Sequence, residues 1–329
     1  MLTFRVEGFD FHVLPMRTRF AFKYGIASLD RLTHVVVTAR GEIAGKTWGG
    51  HAADGLPPKW FTKNPATPFE EDLAEMIAVI QNAARIGVNA GGVEAGFGSW
   101  WRALKDEQDH WAELQHIPPL LAGLGTSLIE RAVLDALCRA AGRPLHELMR
   151  AGGIIADLGI VRETLAGVSP AQVIGGAPRS TLIARHTVGL GDWLGDEDVP
   201  EAEDPADGLP VSLAACARAY GLTHFKLKVG GSLEQDQERL RRIFEVLNQN
   251  ARPDWVCTLD GNEAFTSMAA FREYFEALSA DSRLRQGLER VLFVEQPLRR
   301  DVCLLEEVGE ELKPWPKAPP MLLDEGDGD

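Results

Sequence analysis

Little in this chain points to nucleic acid, a membrane or an oxidising compartment. Basic residues number 34 against 48 acidic ones, a formal charge of −14 at pH 7, and no Lys/Arg-rich tract occurs. That balance excludes nucleic acid and anionic bilayers as expected partners. The apolar runs are too short to span a bilayer. The N-terminus, MLTFRVEGFDFHVLP, alternates like a strand and lacks the charged n-region and apolar core of a signal peptide. Only four cysteines occur, Cys138, Cys216, Cys257 and Cys303, far apart and without a CxxC pair. Read as reduced core thiols, they predict a cytoplasmic protein. Gly175-Gly176 and Gly230-Gly231 lack GxGxxG or P-loop spacing, which argues against a nucleotide site. What remains is ordinary globular composition, 45% hydrophobic and 25% charged over 329 residues. That length suits two domains, or one large α/β domain with an extension.

Residues 1–150 read as an α+β domain. Alternation over Phe4 to Val13 and Thr33 to Thr38, punctuated by Gly41 and Gly45, predicts antiparallel strands. Apolar spacing then predicts helices over Glu70 to Ala84, over Ser99 to Leu114, and from Thr126-Ser127 to a stop at Gly142. In 151–329 the order becomes alternating strand and helix, which implies a parallel sheet. Strands are expected at Thr181–Val188, Thr223–Val229, Val256–Asp260, Val291–Glu295 and Met321–Asp324. Helices are expected around Val211–Tyr220, Leu233–Asn248, Ser267–Leu278 and Asp301–Leu312. Between Gly191 and Gly208 lie eight acids and no base. The spacing does not match an EF-hand, so the segment reads as a solvated, mobile loop able to act as a lid.

Four motifs carry charge at the ends of apolar runs: HFKLK (Lys226, Lys228), LDGN (Asp260, Asn262), VEQP (Glu295) and LDE (Asp324, Glu325). Lys226, Asp260, Glu295 and Asp324 are separated by 34, 35 and 29 residues. A strand, crossover helix and next parallel strand need about 30 residues or more, so each motif would end one strand of a β/α repeat. In a closed barrel these ends share one mouth, where chemistry sits. Lys226 and Lys228, two apart on a strand, point to one face. Mutual repulsion and partial burial are expected to lower a lysine's pKa and supply an amine base. The alternative is a solvent-facing pair on an edge strand, with Phe225, Leu227 and Val229 as the inward set. Taken singly, Asp260, Glu295 and Asp324 are more often caps or loop acids. In register on successive units they repel unless a cation neutralises them, and all-oxygen ligands suit Mg²⁺. A metal there makes the α-proton of a bound carboxylate more acidic by stabilising the enediolate.

These motifs resemble the enolase superfamily, and within it the mandelate racemase/muconate lactonizing enzyme family; the Lys or His base with Mg²⁺ is that superfamily's known pairing. Lys226-x-Lys228 resembles the muconate-lactonizing branch. The resemblance implies Lys228 as acid/base, Lys226 assisting at the substrate carboxylate, and Asp260, Glu295 and Asp324 as metal ligands. Asn262 and Glu325 match supporting positions, and IERAVLDALCRAAGRPLHELM (129–149) looks like the family's last capping-domain helix. It further implies an α+β capping domain over 1–150, an enolase-type modified TIM barrel from 151, a small carboxylate substrate and homo-oligomerisation. The family's barrel continues beyond a fifth strand, and this branch carries a second catalytic lysine on the sixth. The chain as written is therefore expected to be C-terminally incomplete, poorly soluble and of little or no turnover.

Two rivals stand beside this reading: a class I aldolase with a Schiff-base lysine, and a non-catalytic barrel retained for binding. Other residues weigh less. His186 could face the mouth but reads equally as a core histidine, and His224 reads as packing. Lys23, Tyr24 and His51 match regions that line the pocket in this family, and Trp100-Trp101 with Trp111 reads as core.

Overall fold

Alternation at the N-terminus runs further than the sequence suggests. In the computed structural model, which describes residues 3–24, 27–90 and 96–328 and the side chains of these except 22–27 and 327–328, β1 covers Phe4–Tyr24, β2 Ala27–Ile43 and β3 Lys46–Leu56. The sheet order is β1-β2-β3. Ala44 and Gly45 join β2 to β3 with φ of 48° and 79°, the doubly positive turn that matches strand twist. Three long helices follow: α1 (Phe69–Asn89), α2 (Phe97–Leu114) and α3 (Pro119–Ala141). Two short ones come next, α4 (Leu145–Arg150) and α5 (Pro170–Val173). Helix α3 starts well before the expected Thr126, because Pro119 is tolerated at the first helical position. Gly125 is helical, and a Cβ there would stand 2.3 Å from the Val79 carbonyl oxygen, so it serves close packing on α1. Gly142 ends α3 in the left-handed region, φ 60°. Trp100, fully buried, donates its indole N–H to Gly87.

The chain divides into two compact units: Met1–Thr18 with Leu29–Ser180, and Arg19–Ser28 with Thr181–Asp329. Residues 151–180 thus fall with the first unit rather than the second.

The second unit holds β4 (Arg185–Val188), α6 (Leu213–Tyr220), β5 (His224–Lys228), α7 (Leu233–Asn250), β6 (Val256–Asp260), α8 (Met268–Ala280), α9 (Arg285–Leu288), β7 (Val291–Glu295), α10 (Glu306–Leu312) and β8 (Met321–Leu322). Its five strands pair in parallel in the order β4-β5-β6-β7-β8, the successive β/α order of a barrel wall. The outer strands are shorter than expected. β4 starts at Arg185 rather than Thr181, Leu182 and Ile183 being exposed, and β8 stops at Leu322, before Asp324. Among the described residues each pairs along one side. On β5, Phe225 and Leu227 are fully buried with Leu240, Ile243 and Leu247 of α7, while Lys226 and Lys228 lie on the opposite, less buried face. That arrangement places the lysines as the barrel reading requires.

The acidic segment 191–208 is pinned, not a free lid. Its bases come from distant sequence: Arg218 holds Asp196 at 2.5 Å, Arg242 holds Asp198 at 2.9 Å, and Arg19 holds both Asp207 oxygens at 2.5 and 2.7 Å. Charge-assisted pairs of this geometry are the stronger class of hydrogen bond. The four cysteines are free, and burial pushes the Cys257 thiol up to about 12. Among the described residues no helix is long and apolar enough to cross a membrane.

His186 pairs in register with Phe225 and meets its ring edge-on at 6.3 Å. It therefore lies on the helix-packed face rather than toward the lysines. Burial holds its pKa below the ordinary 6.5, against the opposing charge of Asp192. The unfolded chain then binds this proton more readily, so stability falls as pH drops through 6.5 and levels off below the lower folded value. Urea midpoints measured between about pH 5 and 8 are expected to show that slope in the wild type and to lose it in His186→Phe. Equal slopes in both proteins would contradict this.

Candidate active site

Parallel pairing places Lys228 beside Asp260 and Asp260 beside Glu295, one row across the C-terminal ends of β5, β6 and β7. Residues in register share a face, so these side chains converge together with Lys226 one step below. Lys226 Nζ lies between two carboxylates, 2.8 Å from Asp260 Oδ2 and 2.5 Å from Glu295 Oε1. Lys228 Nζ donates to Asp260 Oδ2 at 2.6 Å and to Asn262 Oδ1 at 3.2 Å. Asn262, at φ 48°, also gives its backbone N–H to Asp260 Oδ1 at 2.9 Å. The four charged side chains are 4–16% exposed.

The electrostatics correct one expectation. Burial pulls the Lys226 ammonium down, but hydrogen bonds from it to Asp260 and Glu295, with their charges, outweigh burial and hold it above the ordinary lysine value. The expected lowering counted lysine–lysine repulsion and omitted the carboxylates supplied by two other strands. A lysine held charged in this way is a poor amine nucleophile, which counts against a Schiff base at Lys226. Burial raises the Asp260 carboxyl, yet the Lys228 charge and hydrogen bonds from both lysines bring it below the ordinary carboxylate range.

Asp324 stands apart from this cluster. It lies two residues past Leu322, the register partner of Glu295, and is exposed. Its backbone N–H is bound by Gln296 Oε1 at 2.8 Å. Among the described residues no three His, Cys, Asp or Glu side chains converge closely enough to hold a metal ion. Asp260 and Glu295 form a pair, and Glu325, the residue after Asp324, is buried as well. The pair itself fits a hard divalent cation. Two buried carboxylates already share one cationic nitrogen, and Glu295 Oε2 is buried without a hydrogen-bond partner, as an oxygen-ligand site requires.

Three residues were not singled out from the sequence. Arg185 donates to Thr258 Oγ1 at 3.3 Å and brings its guanidinium to 3.5 Å from Glu295 Oε2. Its charge within an apolar strand was a usable signal. Thr258 shares the face of Lys226 in register. Gln296 carried no signal beyond its place after Glu295. Among the lesser candidates, His51 is exposed, bonded through Nδ1 to Thr38 Oγ1 at 3.0 Å. The side chains of Lys23 and Tyr24 lie outside the described residues.

No protein-family model and no curated protein sequence matches the chain. Solved structures do. An enolase from Bradyrhizobium complexed with magnesium and mandelic acid matches at 16% identity and TM-score 0.59, over 98% of this chain and 68% of that one. A muconate lactonizing enzyme from Pseudomonas fluorescens complexed with muconolactone matches at 17% and 0.59, over 98% and 67%. The chain shares the fold of these enzymes. A dipeptide epimerase from Enterococcus faecalis, complexed with Mg and L-Leu-L-Tyr, shares it at 17% and 0.57, over 98% and 68%. At these identities the likeness concerns the fold: an N-terminal antiparallel sheet with helices, then a parallel α/β sheet. It does not distinguish the KxK branch.

Proposed function

We propose that this chain is a Mg²⁺-dependent enzyme that removes a proton α to a carboxylate through an enediolate. The outcome is a racemisation, epimerisation, cycloisomerisation or dehydration of a small carboxylate. The observation that carries the reading is the single row of Lys228, Asp260 and Glu295 at three adjacent strand ends, with Lys226 between the carboxylates. Structures sharing the fold hold magnesium with mandelic acid or with a dipeptide, which supports the same chemistry here.

Asp260 and Glu295 would hold the metal, while Asp324, the third ligand that the resemblance implies, stands apart from them. Mg²⁺ bound there supplies positive charge against the enediolate oxygens. The chain's own groups do the rest. Lys226, kept charged by its carboxylate neighbours, binds and orients the substrate carboxylate and adds a second positive charge. Lys228, at the outermost position of β5, receives the α-proton at Nζ. Asn262 fixes both participants at once, through its Oδ1 to Lys228 and its N–H to Asp260. Buried and hydrogen-bonded in this way, the groups need little reorganisation as charge develops.

Exchange of the substrate α-proton in D₂O, followed by NMR across a panel of carboxylates, tests the reading. Wild-type protein with Mg²⁺ is expected to exchange at least one of them. Lys228→Ala is expected to slow that exchange by about 10²–10⁴-fold, the usual range for losing a general base, with Mg²⁺ affinity kept. Exchange that survives Lys228→Ala unchanged would remove Lys228 from its role.

A further inference from the structure

We propose that the Glu263–Arg300 ion pair is a positioning device that holds Asn262 against Lys228 and Asp260. The assignment rests on the reading of Lys228 as the proton acceptor. Asn262 meets that lysine through Oδ1 at 3.2 Å, and gives its backbone N–H to Asp260 Oδ1 at 2.9 Å. It makes both contacts from a left-handed backbone, φ 48°, and Glu263 after it is left-handed too, φ 65°. Asparagine tolerates that region, whereas glutamate seldom adopts it. Of the seven non-glycine residues with positive φ among the described residues, Asn262, Glu263 and Gln296 fall in the turns after β6 and β7. Such conformations persist where surrounding contacts over-determine them, and they cluster at functional sites.

The contacts that over-determine the Asn262 turn come from the end of β7. Glu263 Oε1 accepts the Arg300 backbone N–H at 2.9 Å and its Nε at 2.7 Å, and Oε2 accepts an outer guanidinium nitrogen at 2.9 Å. The two side chains are 6% and 21% exposed, so the pair is largely shielded from water. Charge-assisted, two-pronged geometry of this kind adds direction as well as strength. The Glu263 N–H donates to Gln296 O at 2.9 Å, and the Phe265 N–H to Pro297 O at 3.0 Å. A Cβ on Gly261 would stand 2.8 Å from Pro297 Cα, so the two turns touch backbone to backbone. A mere connection from β6 to α8 needs neither a buried ion pair nor a left-handed glutamate. What the pair adds is a fixed direction for the residue next to Glu263, and that residue is Asn262.

Exchange of the substrate α-proton in D₂O with Mg²⁺ tests the assignment, on the panel carboxylate that the wild type exchanges fastest. Glu263→Gly removes the ion pair and the backbone strain together, because glycine tolerates a left-handed position. Glu263→Gly and Arg300→Met are each expected to lower the saturating rate about 10–100-fold with KM nearly unchanged, the scale of a misplacement of about 1 Å. In an Asn262→Ala background, Glu263→Gly is expected to cost less than about twofold more, because residues acting through one another are non-additive. Amide hydrogen exchange reads the same change without substrate: the Asn262 N–H loses protection in both variants while β5 and β6 keep theirs. An unchanged saturating rate, an equal loss in both backgrounds, or retained Asn262 protection would overturn the assignment alone. Loss of protection throughout β5 and β6 would reduce the pair to a structural role and overturn it as well. Absence of exchange by the wild type on every carboxylate, or exchange unchanged in Lys228→Ala, would overturn the reading of Lys228, and this assignment with it.

Discussion

Replacing Lys226 by methionine is expected to lower the unfolding free energy by about 3–5 kcal/mol in EDTA, with Mg²⁺ restoring much of the loss. The size comes from the place of the ammonium. It sits 2.8 Å from Asp260 and 2.5 Å from Glu295, two carboxylates only 4–5% exposed. Methionine keeps most of the apolar stem but removes the charge between them. Breaking a buried ion pair from one side typically costs about 3–5 kcal/mol, because the remaining charge stays out of water. Lys228 still faces Asp260, but among the described residues Glu295 is left with Arg185 at 3.5 Å. A cation bound to the folded state alone stabilises it, by about 2.7 kcal/mol at a hundred times its dissociation constant. Urea unfolding of both proteins with and without Mg²⁺ measures the effect. A Lys226→Met protein as stable as wild type in EDTA would show that the lysine is not the carboxylates' counter-ion.

Asp260→Asn is expected to lose Mg²⁺ binding altogether and about 3–5 kcal/mol of stability in any buffer. Asp260 Oδ2 accepts from both lysines, at 2.8 and 2.6 Å, while Oδ1 takes the Asn262 N–H at 2.9 Å. Asparagine offers one acceptor oxygen, and its amide nitrogen would face either an ammonium or a backbone donor. Two lysines, 16% and 11% exposed, then lose their shared counter-ion. The two substitutions are told apart by the metal: Mg²⁺ rescues Lys226→Met and leaves Asp260→Asn unchanged. A Mg²⁺-dependent rise in the urea midpoint of Asp260→Asn would count against Asp260 as a ligand.

The row of strand ends was legible because each of its residues closes an apolar run. Spacing of about one β/α unit then fixed which ends share a sheet edge. Strand parity put Lys226 and Lys228 on one face, and burial of Phe225 and Leu227 on the other confirms it. The features that were not legible depend on partners far away in sequence. The rise in the Lys226 pKa needs carboxylates from β6 and β7, so reasoning about β5 alone gave the wrong direction. The acidic segment looked unpaired because Arg19, Arg218 and Arg242 lie outside it. Gly125 hid the first turns of α3, since its close packing on α1 cannot be read from one helix. Asp324 read as a strand end, whereas β8 stops two residues earlier and the Gln296 side-chain amide holds the backbone beyond it.

Calorimetric titration of the wild-type chain with Mg²⁺, beside Asp260→Asn, tests the central claim most directly. The account predicts one saturable Mg²⁺ site in the wild type and none in Asp260→Asn. Absence of Mg²⁺ binding in the wild type, or equal binding in both, would contradict it.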